Sequence, residues 1–344
     1  MAKKIFVFLN GPHSSSLILC DRFGINEIHG LNKPAFLSPL SKVISIFMES
    51  FSLRGYDLYF LEGVACGAIS PVVSNANNII VAKGNDHITH FMDMSLLWRL
   101  YFKHIAKLDK YITGVIAVSE MVKEDYLRYF DFDIKVAEGF IYRDIEKLSS
   151  IRRDEENCNF ICIGSNPYLK GVDRSVLLFL NLKEKRIIPN SAKFFLLGRN
   201  ERFLKQKKLD IAFLENRGVV FVGITDEVEK YFQQSTFQLH LARYEPNAVA
   251  IMEGMVSGVI PIISNHTGNR SFIQKIYPGL VLDDSSERSF IDGGTELVRS
   301  LISGGIGRLS DEFRKSKIYY NKQAGLKRWD EAFSYFLNKH RGGR

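Results

Sequence analysis

The chain is 344 residues long, 46% hydrophobic and 24% charged, which is the composition of a soluble globular protein with length for two domains and two full cores. No stretch reaches the ~18 uninterrupted apolar residues of a membrane-spanning helix, which speaks against a transmembrane protein but leaves attachment to a membrane surface open. The formal charge is +8, and because acids and bases balance over residues 1–150 the whole excess lies in the second half. Such an asymmetry suits a domain that meets an anion; nucleic acid, a phosphorylated ligand, an anionic lipid and a solvated basic face all fit it.

The N-terminus "MAKKIFVFLNGPH" holds an apolar run too short for the core of a signal peptide, so a cytoplasmic chain is expected. That run reads as a buried first strand, with "NGPHSSS" as the loop behind it. Helical and strand-like runs then alternate: a helix around "SPLSKVISIFMESFSLRG", strands "YDLYFL" and "NIIVAKG", a helix "SLLWRLYFKHIAKLDKYI", the strand "GVIAVS", the helix "EMVKEDYLRYF" and the strand-like "DIKVAEGF". A polar segment from Tyr142 to Asn159 interrupts the pattern and reads as an interdomain connection. Alternation resumes with "FICIG", a helix from Val172, "KFFLLG", a helix around Arg202 to Asn216 and "VVFVG". A helix around Glu227 to Gln234, the strand "FQLHLA", one more helix and "VIPIIS" complete it. This is the α/β pattern of two doubly wound, Rossmann-like domains facing a cleft at their strand C-terminal ends.

Of the four cysteines, Cys20, Cys66, Cys158 and Cys162, only the last two are close in sequence, and they read as buried, reduced thiols on one face of a strand rather than a metal site. The helix around Trp98 mixes Trp98, Tyr101 and Phe102 with Arg99, Lys103, Lys107 and Lys110. An interfacial helix and a domain helix with a basic outer face both look like this.

The stretch "RYEPNAVAIMEGMVSGVIPII" sets Glu245 and Glu253 on either side of seven residues. Proline is favourable at the first position of a helix, so the spacing predicts a helix from Pro246 with Glu245 at its N-cap. On such a helix Glu253 would lie roughly 12 Å up the axis and about 80° around it. The amides of Asn247, Ala248 and Val249 would then point out of the N-terminus as an anion pocket, strengthened by the helix dipole. A phosphate on those amides, sugar hydroxyls on one acid and a ribose on the other would fit a nucleotide sugar; two surface glutamates are the alternative.

From about Phe160 to Ile273 the chain resembles the nucleotide-binding domain of glycosyltransferase family 4, which has the two-domain GT-B architecture. The resemblance rests on the Glu-x7-Glu helix running into "MVSGVIPII", on "FICIGSNPYLKGVD", and on "FFLLGRNE" and "VVFVGITDEVEKYFQQS". In the first half "GVIAVSEMVKEDYLRYF" is similar to the segment before the family's crossover, and Trp329 to Phe336 is similar to its terminal helix. The implied division is an N-terminal acceptor-side domain, 1–150, a nucleotide-sugar domain, 151–325, and a helix, 326–344, that crosses back to the first domain. Implied with it is a retaining transfer of sugar from a nucleoside-diphosphate sugar to a glycan or lipid-linked acceptor, by a front-face reaction in which the leaving diphosphate helps deprotonate the acceptor. No nucleic acid partner and no metal are implied.

Residue by residue, the resemblance places Lys170 on the donor diphosphate. Ser165 stands where the family usually has a second phosphate-binding cation, an arginine. The family's His-Asp pair near the sugar maps onto "VAKGNDHITHF", making Asp86 and His87 catalytic candidates together with Glu245, with a solvated loop as the alternative for the first two. Gly11 could let the diphosphate approach the backbone, although a tight turn explains a glycine there as well. The replacement at Ser165 keeps a second reading in view, a non-catalytic nucleotide-sugar or glycan-binding subunit of a glycosylation complex. The acidic "DFD" at Asp131 to Asp133 is read as a turn rather than a metal motif.

Overall fold

The computed structural model describes the chain apart from residues 1, 9–11, 32–47, 76, 86–87, 89–98, 101–102, 104–106, 108, 153–157 and 343–344. Gly11, Asp86 and His87, and most of the helices expected around residues 38–55 and 95–112, lie outside the described residues. The chain forms two compact units, Met1–Gly139 with Gln323–Arg344, and Phe140–Lys322. Each is built on a six-stranded parallel sheet. Among the described residues no helix is long and apolar enough to cross a membrane.

The first sheet has the order β2-β1-β3-β4-β5-β6, from strands Lys4–Phe8, Glu27–Gly30, Leu58–Glu62, Ile79–Gly84, Gly114–Ala117 and Ile134–Val136 in chain order. Its central strands are apolar on both faces because helices cover a parallel sheet on both sides. The serines of "NGPHSSS" are not a loop. They open the helix Ser14–Phe23, whose first turn is capped by the His13 ring, and the helix ends at Gly24 in the left-handed conformation, φ 62°. Strand β2 follows; being half exposed, it leaves no apolar run to read in the sequence.

The helix Lys322–Gly342 closes this unit. Trp329 and Phe336 are buried, and Phe333 stacks on Phe23 with ring centroids 4.1 Å apart. Phe336 fills the space a side chain at Gly114 would need. The helix is anchored by Arg22 on Asp330 at 2.6 Å and by Lys339 on Asp133 at 2.6 Å. Asp133, from the acidic "DFD", therefore ties down a helix.

The second sheet has the order β12-β11-β10-β7-β8-β9, with β7 at Phe160–Ile163, β8 at Phe194–Leu197, β9 at Val219–Gly223, β10 at Phe237–His240, β11 at Ile260–Ser264 and β12 at Val281–Leu282. Phe160, Phe179, Phe194 and Phe237 pack together at its centre. The unit begins at Phe140, where the sequence reading set its start at 151. Ile141 and Leu148 belong to its core, and the Ile141 amide donates to the Tyr320 carbonyl at 2.9 Å. The polar stretch read as a connection contains the helix Ile145–Ser149, capped by the Asp144 carboxylate. All four cysteines are free; Cys20, Cys66 and Cys162 are buried and Cys158 is half-buried. Burial pushes the Cys20 and Cys162 thiols up to about 12, so neither supplies thiolate at neutral pH.

Candidate functional site

The second sheet reverses its direction of growth between β7 and β10, so the loops leaving those two strands run side by side at their C-terminal ends, the usual place for a ligand in an open α/β sheet. The two loops are stitched together. The Arg243 amide donates to the Leu169 carbonyl at 2.8 Å, and its guanidinium grips Asp173 through two hydrogen bonds of 2.8 and 2.7 Å. The same guanidinium lies 4.4 Å over the Tyr168 ring. Gly171 has φ 63°, and a Cβ there would stand 1.8 Å from the Leu241 carbonyl oxygen. Gly164 has no side chain for a related reason: the stem of Lys170 occupies that space.

Lys170 is thus delivered to the end of β10, where its ammonium pairs with the Glu245 carboxylate. Burial lowers the Lys170 pKa to about 8. His240, the last residue of β10, lies 3.8 Å from the same carboxylate, and burial, reinforced by the Lys170 charge, pushes it down to about 3, so its ring is neutral. Ser165 is exposed at the mouth of the loop, four residues beyond the mid-strand Ile161.

Glu245 is not the N-cap of a helix. Its amide donates to the His266 carbonyl at 2.9 Å and its carbonyl accepts from the Gly268 amide at 2.8 Å, a short parallel bridge that holds it extended. Pro246 follows in a bend, and the helix runs Val249–Val256 with Ala248 as its N-cap. The helical offset between the two acids therefore does not apply. The set of open amides changes too: Val249 donates to the Asn247 carbonyl at 2.9 Å, which removes it from the expected pocket. Among the described residues the amides of Asn247, Ala248 and Ala250 make no hydrogen bond, so the helix N-terminus still presents three donors.

Glu253 sits inside that helix with its side chain only 10% exposed, 3.4 Å from the Arg143 guanidinium. Burial raises its pKa from 4.5 to about 7, with Arg143 opposing and Glu229 adding to the rise. A carboxyl raised in the folded state stabilises the fold fully below about 4.5, and that contribution is lost as pH climbs through about 7. Glu253→Gln, neutral throughout, should therefore gain about 3 kcal/mol on the wild type between pH 4 and pH 8, the equivalent of roughly two pK units. Thermal unfolding at the two pH values measures it; a difference that does not change with pH would mean the carboxyl is not desolvated.

The structure brings Lys170, Glu245 and the amides of Asn247 and Ala248 together, with Glu253 further along the same helix. Three contributors escape the sequence reading. His240 is a lone polar residue in an apolar strand, the Asp173–Arg243 clamp joins residues 70 apart in sequence, and Arg143 comes from the stretch taken as a connection. Only the histidine left a signal, its interruption of "FQLHLA".

The family model of glycosyl transferases group 1 matches residues 144–310. No match is found among curated proteins. Among solved structures, the chain is similar to WaaG, a glycosyltransferase involved in lipopolysaccharide biosynthesis, at 13% identity and a TM-score of 0.65, covering 94% of this chain and 98% of that one. It is similar to HepE of Anabaena in complex with UDP and glucose at 15% identity and 0.67, covering 96% and 99%. It is also similar to a sucrose-phosphate synthase of Thermosynechococcus elongatus at 13% and 0.70, covering 98% and 100%. With two parallel α/β units and these neighbours along nearly its whole length, the chain has the GT-B fold of glycosyltransferases, and its second unit carries the match to glycosyl transferases group 1.

Proposed function

We propose that the protein is a retaining glycosyltransferase of the family 4 type, moving a sugar from a nucleoside-diphosphate sugar to a glycan or lipid-linked acceptor. The observation that carries this reading is the Lys170–Glu245 pair beside the open amides of Asn247, Ala248 and Ala250. A cation and a helix N-terminus suit a diphosphate, an adjacent acid suits sugar hydroxyls, and Glu253 further along the helix suits a ribose. HepE has been solved with UDP and with UDP-glucose, which makes uridine the first base to test. Lys170 and the amides supply the charge stabilisation a divalent ion would otherwise bring, so transfer needs no metal. In this reading the departing diphosphate takes the acceptor proton, while Asp86 and His87 flank the sugar and Gly11 admits the diphosphate, roles that rest on resemblance alone. The protein works in the cytoplasm, with peripheral contact to the membrane where the acceptor is lipid-linked.

The test is release of nucleoside diphosphate from a panel of UDP- and GDP-sugars, with and without glycan and lipid-linked acceptors, in chelator. Acceptor-dependent release supports the proposal. Tight binding without release favours the second reading, a non-catalytic donor-binding subunit, for which the missing arginine at Ser165 speaks. Restoring it tests the site directly. Ser165→Arg should tighten UDP by about 1 kcal/mol, below the ~1.5–3 kcal/mol of a buried charged hydrogen bond because the position is exposed. Calorimetry should show a smaller gain for UMP; equal gains for both nucleotides would place the diphosphate elsewhere.

A further inference from the structure

We infer that His240 is a positioning residue for Glu245: when a diphosphate draws Lys170 away, the Glu245 carboxylate moves onto the His240 ring N–H, so one buried acid exchanges a cationic partner for a neutral one. The inference deepens the donor-binding reading and rests on it for the diphosphate step.

Four observations carry it. His240 is 1% exposed, and among the described residues neither of its ring nitrogens has a hydrogen-bond partner. A neutral imidazole carries one N–H, and a buried donor left unanswered calls for an explanation. Nε2 lies 3.8 Å from Glu245 Oε2, about 1 Å beyond a hydrogen bond. The oxygen it faces is the one Lys170 occupies, so the lysine and the histidine compete for a single acceptor.

The backbone makes the exchange local. Glu245 is pinned on both sides of its peptide by His266 and Gly268, so only its side chain needs to turn. Without a waiting donor, removal of Lys170 would strand a carboxylate in a buried site, which is strongly unfavourable. With His240 in place the carboxylate keeps a hydrogen-bond donor and its orientation, its other oxygen directed at the sugar. Burial keeps the ring neutral, so it donates to Glu245 without placing a second cation beside Lys170.

The experiment is NMR of protein labelled with 15N-histidine, reading a downfield, exchange-protected imidazole N–H and assigning it by its loss in His240→Gln. It should be absent from the free wild type, present in Lys170→Met without nucleotide, and should appear in the wild type on adding UDP. Its absence from folded Lys170→Met overturns the inference. If that variant shows the resonance while calorimetry detects no UDP binding to the wild type, the His240–Glu245 pairing stands and the donor reading falls. If UDP binds and the resonance appears in neither case, the donor reading stands and the inference falls. In turnover, His240→Leu should lower kcat about tenfold with little change in donor KM, and His240→Gln, which keeps an N–H, should restore most of it; parallel losses in both variants would indicate packing alone.

Discussion

Replacing Gly171 with alanine is expected to destabilise the second unit by about 4 kcal/mol, at the upper end of what one methyl group does. Two effects add. A non-glycine residue at φ 63° costs about 1 kcal/mol or more on its own. The larger part is collision: the new Cβ would stand 1.8 Å from the Leu241 carbonyl oxygen, a backbone atom that no rotamer change can move. The loop after β10 would have to retreat, carrying Arg243 off Asp173 and Glu245 off Lys170. Gly223→Ala provides the comparison within the same unit, since Gly223 also has positive φ, 75°, but nothing within 4 Å of its added Cβ. Urea unfolding of both variants should give about 4 kcal/mol against about 1 kcal/mol. Equal losses would mean that the two loops are not in contact there and that the stitched arrangement is wrong.

The fold was legible because parallel strands are apolar on both faces: "FICI", "FFLL" and "IPIIS" stand out from their surroundings and are β7, β8 and β11. What escaped was polar by necessity. The helix Ser14–Phe23 begins with serines, two of which, Ser15 and Ser16, accept hydrogen bonds from the buried Lys83 ammonium, and those serines imitate a loop. In the segment 142–159 Leu148 enters the core, and only Ile145, Ile151 and Cys158 pack against it among the described residues, too scattered to make a pattern.

The site shows the same division. Glu245 was singled out by its spacing from Glu253 and Lys170 by the family resemblance, but their pairing joins loops of two separate strands, and no local rule contains it. Pro246 misled for a physical reason: a proline after an acid is favourable at a helix start, yet the parallel bridge to residues 266–268 claims the Glu245 backbone and delays the helix to Val249. His240 and Arg143 became meaningful only once their distances to the two acids were known.

Lys170→Ala is expected to lower kcat/KM for the donor by about 10²–10³-fold, the scale seen when one preorganised group facing developing charge is removed. In the proposed donor complex the leaving diphosphate would gain charge as the glycosidic bond breaks, and with Ser165 in place of an arginine Lys170 would be the side-chain cation of this loop that faces it. Monophosphate affinity should change far less. A pH signature separates this role from simple packing. The free lysine, lowered by burial, loses its proton near pH 8, whereas a bound dianion raises its pKa. Between the two values donor binding takes up a proton, so affinity should be flat below pH 8 and fall up to tenfold per unit above it. Lys170→Ala should bind weakly with no such limb, and Lys170→Arg, charged at every pH, should keep part of the affinity and also lose the limb. Measurement of UDP affinity from pH 6.5 to 9.5 decides it: an alkaline limb that persists in Lys170→Ala would assign the titration to another group and remove Lys170 from the diphosphate.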